Sequence, residues 1–130
     1  MRSVILIEDD PVTREAAKLA LERHDYRVVA ARNGSHAAEM LDSSKALVVI
    51  TDMFMPDCDG IEVMKLVRAR NPAVKVLAIS GGSPTLPMDP LRAAKMLGAD
   101  ATMRKPFRPD QLIETVDGLY ASAEREHPQA

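Results

Sequence analysis

The chain has 130 residues, the size of one domain, and a formal net charge of −2 at neutral pH. A nucleic-acid surface is usually basic and often aromatic, whereas this chain is slightly acidic and only 3% aromatic. Its single cysteine cannot form an internal disulfide, which favours a reducing cytoplasm. We see no signal peptide and no apolar run near the about 20 residues that a membrane span requires. We therefore expect a cytoplasmic protein that binds neither nucleic acid nor membranes.

Short apolar runs alternate with helical patterns along the chain. Strands are predicted at residues 3–7, 26–31, 47–51, 74–79 and 101–104. Helices are predicted at 11–23, around 37–41, from 61 to near 71–72, at 91–97, and from 109 onward. Such alternation predicts an α/β fold, a doubly wound parallel sheet of five strands with five helices. We place the domain at 1–123 and expect a frayed polar tail at 124–130.

The ends of the first and fourth helices carry clear signals. Asp10 is a good N-cap and Pro11 a good first helical residue. Val12, Ala16 and Leu19 then recur at helical spacing. Gly98 is predicted to end the fourth helix.

Polar side chains follow four of the predicted strands. They are Glu8 and Asp9 after the first, Asp52 after the third, Ser80 after the fourth and Lys105 after the fifth. The carboxyl ends of parallel strands share one edge of the sheet, so these groups are expected in one cleft. Clustered carboxylates need a cation, and Mg²⁺ prefers one or two carboxylates together with water and phosphate oxygens. The pattern therefore predicts a Mg²⁺ site with an aspartate placed to accept a phosphoryl group.

With these residues the chain resembles the receiver domain of two-component response regulators, and in particular its single-domain, chemotaxis-regulator-like members. Four elements in the same order carry the resemblance: Glu8-Asp9-Asp10-Pro11, the segment DMFMPDCDG from Asp52 to Gly60, Ser80-Gly81, and Lys105-Pro106-Phe107. The resemblance implies a flavodoxin-like strand order of 2-1-3-4-5. It also implies a cis Lys105–Pro106 peptide bond.

The resemblance further implies how the site residues are used. Asp52 is the implied phosphoacceptor, taking the group from a histidine kinase or a histidine phosphotransfer protein. Glu8, Asp9, Asp52 and the main-chain carbonyl of Phe54 are the implied Mg²⁺ ligands.

Ser80 and Lys105 are implied to contact the phosphoryl group. The outcome would be a change of the protein-binding surface in phosphorelay signalling, with a downstream protein target that the sequence does not identify.

The chain departs from the family pattern in three places. Thr102 stands where the family usually has an aromatic switch residue, so the usual coupling of hydroxyl to aromatic cannot operate in its ordinary form. Residues 82–90 hold three prolines and form a longer loop, which we expect to be specific to a partner. Phe54 lies two residues after Asp52, where it could slow hydrolysis by excluding water.

Two other functions compete with the phosphoacceptor hypothesis. One is a Mg²⁺-dependent phosphohydrolase with an aspartyl nucleophile, but such enzymes usually have a second acid at the position of Phe54. The other is a receiver-like interaction module that is never phosphorylated, which the intact set of Asp9, Asp52, Ser80 and Lys105 argues against. We expect a stand-alone regulator that is not itself an enzyme, rather than a receiver excised from a longer protein.

Overall fold

The structure is a computed structural model that describes residues 1–53, 60–81 and 89–127. Within these residues, five strands alternate with five helices. The strands are β1 (Ser3–Ile7), β2 (Arg27–Ala31), β3 (Val48–Asp52), β4 (Lys75–Ser80) and β5 (Ala101–Arg104). The helices are α1 (Pro11–Glu22), α2 (Ala37–Ser44), α3 (Gly60–Arg70), α4 (Pro90–Met96) and α5 (Pro109–Glu126). The predicted α/β alternation is confirmed.

The strands form one parallel sheet in the order β2-β1-β3-β4-β5. This is the order 2-1-3-4-5 that the resemblance implied. Ile7 pairs with Thr51, and Asp52 pairs with Ile79, so the strand ends that carry polar residues are aligned at one edge. None of the helices within the described residues is long and apolar enough to cross a membrane.

The sheet is covered on both faces, which explains why its central strands are continuously apolar. Along β1, Val4 and Leu6 belong to one buried cluster, whereas Ile5 and Ile7 belong to another. The first cluster takes its helical residues from α1 and α5, and the second takes them from α2, α3 and α4. Each face thus has its own core, as in a doubly wound fold.

The predicted helix ends are largely confirmed. The Asp10 side chain accepts a hydrogen bond from the Thr13 backbone N–H at 3.0 Å, and Pro11 is the first residue of α1. Gly98 follows the C-cap of α4 with a φ of 101°, a conformation that favours glycine. Its N–H donates to the Lys95 carbonyl, and the Ala99 N–H donates to the Ala94 carbonyl.

The buried side of α1 is not the side that carries the apolar residues from which the helix was predicted. Ala17 and Leu21 are buried in the cluster shared with α5, but Val12 is 75% exposed and Leu19 is 50% exposed. Ala16 is exposed as well. The spacing of Val12, Ala16 and Leu19 correctly predicts a helix, but these residues do not form its buried face.

The tail expected at 124–130 is still helical at its start, because α5 continues to Glu126, and residues 128–130 lie outside the described residues. Two ion pairs connect this last turn to the residue before β1 and to the first residue of β4. Arg2 contacts the Glu124 carboxylate at 2.5 Å, and Lys75 pairs with Glu126. Ala123 is also fully buried, which anchors the apolar side of the same turn.

Candidate functional site

Glu8 follows the last residue of β1 and is fully buried. Its backbone N–H donates to the Ala31 carbonyl at 2.9 Å, which extends the contact with β2 by one residue. Its carboxylate accepts a hydrogen bond from the Asp10 N–H at 3.2 Å. The other carboxylate oxygen lies 2.5 Å from the Lys105 ammonium. A buried carboxylate is costly unless it is paired. One oxygen accepts from the Asp10 N–H, whereas the other meets Lys105 as an ion pair and has no hydrogen-bond partner among the described residues.

Asp52 is the last residue of β3 and is 4% exposed. Its carboxylate accepts a hydrogen bond from the Lys105 ammonium at 2.9 Å. Gly60, the first residue of α3, packs directly behind it. A Cβ at Gly60 would lie 2.6 Å from the Asp52 carbonyl oxygen and 2.8 Å from the Met53 Cα, so only glycine fits there.

Lys105 contacts the acidic ends of β1 and β3 through its side chain and the end of β4 through its backbone. Its backbone N–H donates to the Ser80 carbonyl at 2.9 Å, so the ends of β4 and β5 are tied together. Ser80 is fully buried at the end of β4, one residue beyond the partner of Asp52. The Lys105–Pro106 peptide bond is cis, as the resemblance implied.

The charged groups of this cleft shift one another's pKa values. Burial, followed by the nearby Asp52 carboxylate, raises the pKa of Glu8 to about 7, although Lys105 acts in the opposite direction. Burial also disfavours the charge of Lys105, but its contacts with Glu8 and Asp52 outweigh that effect and raise its pKa. The ammonium therefore stays charged between two carboxylates, one of which ionises only with difficulty.

The arrangement suits a hard divalent cation. Glu8, Asp9 and Asp52 each offer a carboxylate oxygen, and these three oxygens lie within 4.8 Å of one another. Even with Glu8 protonated, the two aspartates carry one more negative charge than Lys105 offsets, so the site keeps an excess of negative charge. Oxygen ligands with excess negative charge are what Mg²⁺ prefers, and the residues present fit that ion.

The sequence patterns did not reveal the role of Arg14, although its position could have suggested one. Its guanidinium donates to the Glu8 carbonyl at 2.9 Å and to the Asp9 carbonyl at 3.4 Å. Arg14 lies one helical turn after the N-cap Asp10, so its side chain can return to the loop that precedes the helix.

A shallow apolar pocket of about 410 Å³ adjoins the site. It is lined by Val12, Thr13, Ala16, Lys105, Pro106 and Phe107. The exposed stripe of α1 therefore continues onto the segment after β5, next to the ammonium that contacts Asp52. Helical spacing alone did not indicate that this stripe is a surface.

The remaining site predictions fall in two groups. The structure brings Glu8, Asp52 and Lys105 into contact, places Asp9 beside them and puts Ser80 at the same edge. Phe54 and most of the proline-rich loop, residues 82–88, lie outside the described residues.

Thr102 is half-buried and lines a second cavity of about 370 Å³ between α4 and β5. It fills less of that space than an aromatic side chain would.

Comparison of the sequence with known proteins places these features in a family. The model of the response regulator receiver domain matches residues 4–117. The response regulator receiver protein CpdR of Brucella abortus is 30% identical over 126 residues, covering 95% of this chain and all of that protein. The chemotaxis protein CheY of Listeria monocytogenes is 29% identical over 119 residues, covering 90% of this chain and 97% of CheY.

A cyclic di-GMP phosphodiesterase of Thermotoga maritima is 32% identical over 104 residues. The matched region covers 80% of this chain but only 27% of that protein. This similarity concerns one part of a longer protein and does not make the present chain an enzyme.

Solved structures show the same fold. A CheY-like receiver domain protein from Methanospirillum hungatei superposes with a TM-score of 0.86 at 21% identity, covering 97% of this chain and 98% of the other. The response regulator TrrA of Thermotoga maritima, solved in complex with Mg²⁺ and BeF, has a TM-score of 0.77 at 27% identity, covering 92% and 99%. Receiver domains act mainly as phosphoacceptor switches, bind Mg²⁺ at their acidic pocket and interact with histidine kinases and downstream targets. With the family match spanning most of its length, this chain belongs to the response regulator receiver domain family.

Proposed function

We propose that this chain accepts a phosphoryl group on Asp52 in a Mg²⁺-dependent reaction and then changes its protein-binding surface. The observation that carries the proposal is the shared ammonium of Lys105, which contacts Glu8 at 2.5 Å and Asp52 at 2.9 Å. A carboxylate held beside both a cation and further acids is suited to receive a phosphoryl group. In the proposed phosphorelay, the chain carries a signal and does not turn over a substrate.

The transfer step uses few protein groups. An oxygen of the Asp52 carboxylate attacks the phosphorus of a phosphohistidine, a P–O bond forms, and the P–N bond breaks. The histidine leaves with the bond's electron pair and takes up a proton. Lys105 offsets charge on the transferred group, and the Ser80 hydroxyl is proposed to donate to one of its oxygens.

Glu8, Asp9 and Asp52 would hold the Mg²⁺ through their carboxylates. When bound, the ion would neutralise charge that develops on the phosphoryl oxygens. The main-chain carbonyl of Phe54 is kept as a further proposed ligand on the strength of the resemblance alone.

The phosphodonor is proposed to be a histidine kinase or a histidine phosphotransfer protein. Its docking surface is proposed to be the pocket of α1 that Val12, Ala16 and Phe107 help to line. An exposed apolar helix face beside an acceptor carboxylate can receive a helix that bears the donor histidine. The downstream target is proposed to be another protein, and a cytoplasmic location remains a prediction from the single cysteine.

The direct test is incubation with acetyl phosphate and Mg²⁺, followed by intact mass measurement. We expect the wild type to gain one phosphoryl group, and Asp52→Ala to gain none. Asp117→Ala provides a control, since Asp117 lies on α5 and accepts a hydrogen bond from Tyr26, away from the cleft. Steady release of phosphate from small esters would instead favour the phosphohydrolase alternative. Absence of any mass gain in the wild type would favour the unphosphorylated module.

A further inference from the structure

Arg14 connects α1 to the backbone of the acidic loop. Its side chain is half-buried, and its guanidinium reaches the carbonyls of Glu8 and Asp9. These two residues are the ones whose carboxylates form the candidate ion site together with Asp52. Arg14 therefore binds the backbone carbonyls of two candidate ligands and leaves their carboxylates available for an ion.

Among the residues that the structure describes, the loop makes few regular backbone contacts at this point. The ladder between β1 and β3 ends with Ile7 and Thr51. On the other side, the Glu8 N–H still donates to β2. The carbonyls that follow are turned toward α1, where the guanidinium of Arg14 satisfies them. The loop and α1 are therefore joined by two sets of contacts. Asp10 of the loop caps the helix, and Arg14 of the helix donates to the loop carbonyls.

We infer that Arg14 is a positioning residue, which fixes the Glu8–Asp9 backbone so that both carboxylates face a divalent cation. It acts through two carbonyl oxygens and is not itself a ligand. This inference rests on the Mg²⁺ site of the proposed function and adds a residue to it.

The sign of the effect separates positioning from simple charge. Arg14 carries a positive charge near a site for a cation. If charge alone mattered, removing it would tighten Mg²⁺ binding. If positioning matters, removing it weakens binding, as loss of a group that orients metal ligands typically does by about 10-fold or more. A merely structural role would lower the melting temperature and leave the affinity of the folded protein unchanged.

The test compares Mg²⁺ titrations of the full chain by calorimetry, well below the melting temperature. We expect Arg14→Ala to weaken Mg²⁺ binding about 10-fold. Arg14→Lys is expected to lose less, because one nitrogen of Arg14, Nη1, makes both contacts and a lysine ammonium on a shorter side chain can replace it in part. The matched control is Arg23→Ala, which removes an exposed arginine at the other end of the same helix and should bind like the wild type.

A second readout needs no metal. The Asp10 N–H donates to the Glu8 carboxylate, so its hydrogen exchange reports on the loop. We expect faster exchange at Asp10 in metal-free Arg14→Ala and unchanged exchange in Arg23→Ala. Should Arg14→Ala fail to fold, Arg14→Lys provides the same two measurements.

The possible results are distinguishable. Equal or tighter Mg²⁺ binding in both Arg14 variants, beside a wild type that binds, would overturn the positioning role and leave the proposed function standing. A wild type that does not bind Mg²⁺ would overturn both.

Discussion

The two edges of the sheet differ in how their acidic and basic side chains are balanced. At the amino edge, cations and acids meet in pairs, such as Arg2 with Glu124 and Lys75 with Glu126. At the carboxyl edge, Glu8 and Asp52 share the ammonium of Lys105, and Asp9 adds a third carboxylate. The pairs at the amino edge connect the last turn of α5 to Arg2 and Lys75. The edge with excess negative charge is the one that can take up a cation and a phosphoryl group.

The amino edge also holds a buried network of hydrogen bonds. The buried Tyr120 hydroxyl donates to the Ser3 carbonyl and accepts from the Leu47 N–H at 3.1 Å. Tyr26 packs on Tyr120 with ring centroids 5.7 Å apart and donates to Asp117 on α5. The Tyr26 N–H donates to the Leu21 carbonyl at 3.2 Å, so its backbone belongs to the turn after α1, and β2 begins at Arg27 and not at the predicted residue 26. These contacts tie α5 to the sheet far from the cleft.

Among the variants that test this difference between the edges, Lys105→Met should have the largest effect. It leaves Glu8 and Asp52 without their shared cation, so we expect the metal-free protein to lose up to about 3 kcal/mol of stability. Mg²⁺ should bind more tightly, because a like charge has left the site. Urea unfolding with and without Mg²⁺ measures both effects, and the exposed Lys95→Met is the control. Unchanged stability and unchanged Mg²⁺ binding would contradict the assignment of Lys105.

The matching change at the amino edge is Tyr120→Phe. Removal of the hydroxyl leaves the buried Leu47 N–H without its acceptor and the Ser3 carbonyl without its donor. We expect a loss of about 1–3 kcal/mol in the free energy of unfolding. Mg²⁺ affinity of the folded protein should not change. A variant that binds Mg²⁺ less well while keeping its stability would reverse the roles of the two edges.

The pH dependence should differ between the edges as well. The pKa of Glu8 in the folded protein is about 7, above its usual value of 4.5, so the folded state holds this proton more tightly than the unfolded chain does. The stability that Glu8 contributes is complete below its usual pKa and is lost as the pH rises through about 7. Mg²⁺ must displace that proton, so its stabilising effect should grow over the same range.

Melting temperatures with and without Mg²⁺, from about pH 5 to about pH 8, measure this effect around the Glu8 pKa. Glu8→Gln is the matched variant and should flatten the metal-free profile. A wild-type profile that already lacks this slope would show that Glu8 is ionised in the folded protein.

The smallest effect is expected at Thr102. This side chain lines the cavity of about 370 Å³ between α4 and β5, so the larger side chain of Thr102→Tyr has room. We expect stability to change by no more than about 0.5 kcal/mol. Its buried neighbour Met103 provides the contrast, since Met103→Tyr should cost about 1–3 kcal/mol through overpacking. Equal losses for the two variants, measured by urea unfolding, would show that the cavity is not available.

The sequence was most informative where one chemical rule determined the outcome. A buried apolar strand that ends in a charge places that charge at the carboxyl edge, which located Glu8, Asp52 and Lys105 correctly. Helical spacing is less informative, because a periodic stripe does not say whether it meets the core. Val12 and Leu19 are exposed since Ala17 and Leu21 take the position against α5.

Long-range contacts were the least predictable. The end of α5 contacts Arg2 and Lys75, which are distant in the sequence from Glu124 and Glu126. The hydrogen bonds from Arg14 to the loop carbonyls depend on backbone geometry that residue types do not reveal. Such contacts are found only once the strands and helices are assembled.

The most direct test of the account is to locate the acyl phosphate. The wild-type protein is treated with acetyl phosphate with and without Mg²⁺, reduced with borohydride, and mapped by peptide mass spectrometry for the aspartate converted to homoserine. The account predicts conversion at Asp52, dependent on Mg²⁺, with Asp9 unmodified. Conversion at Asp9, or at Asp52 to the same extent without Mg²⁺, would contradict it.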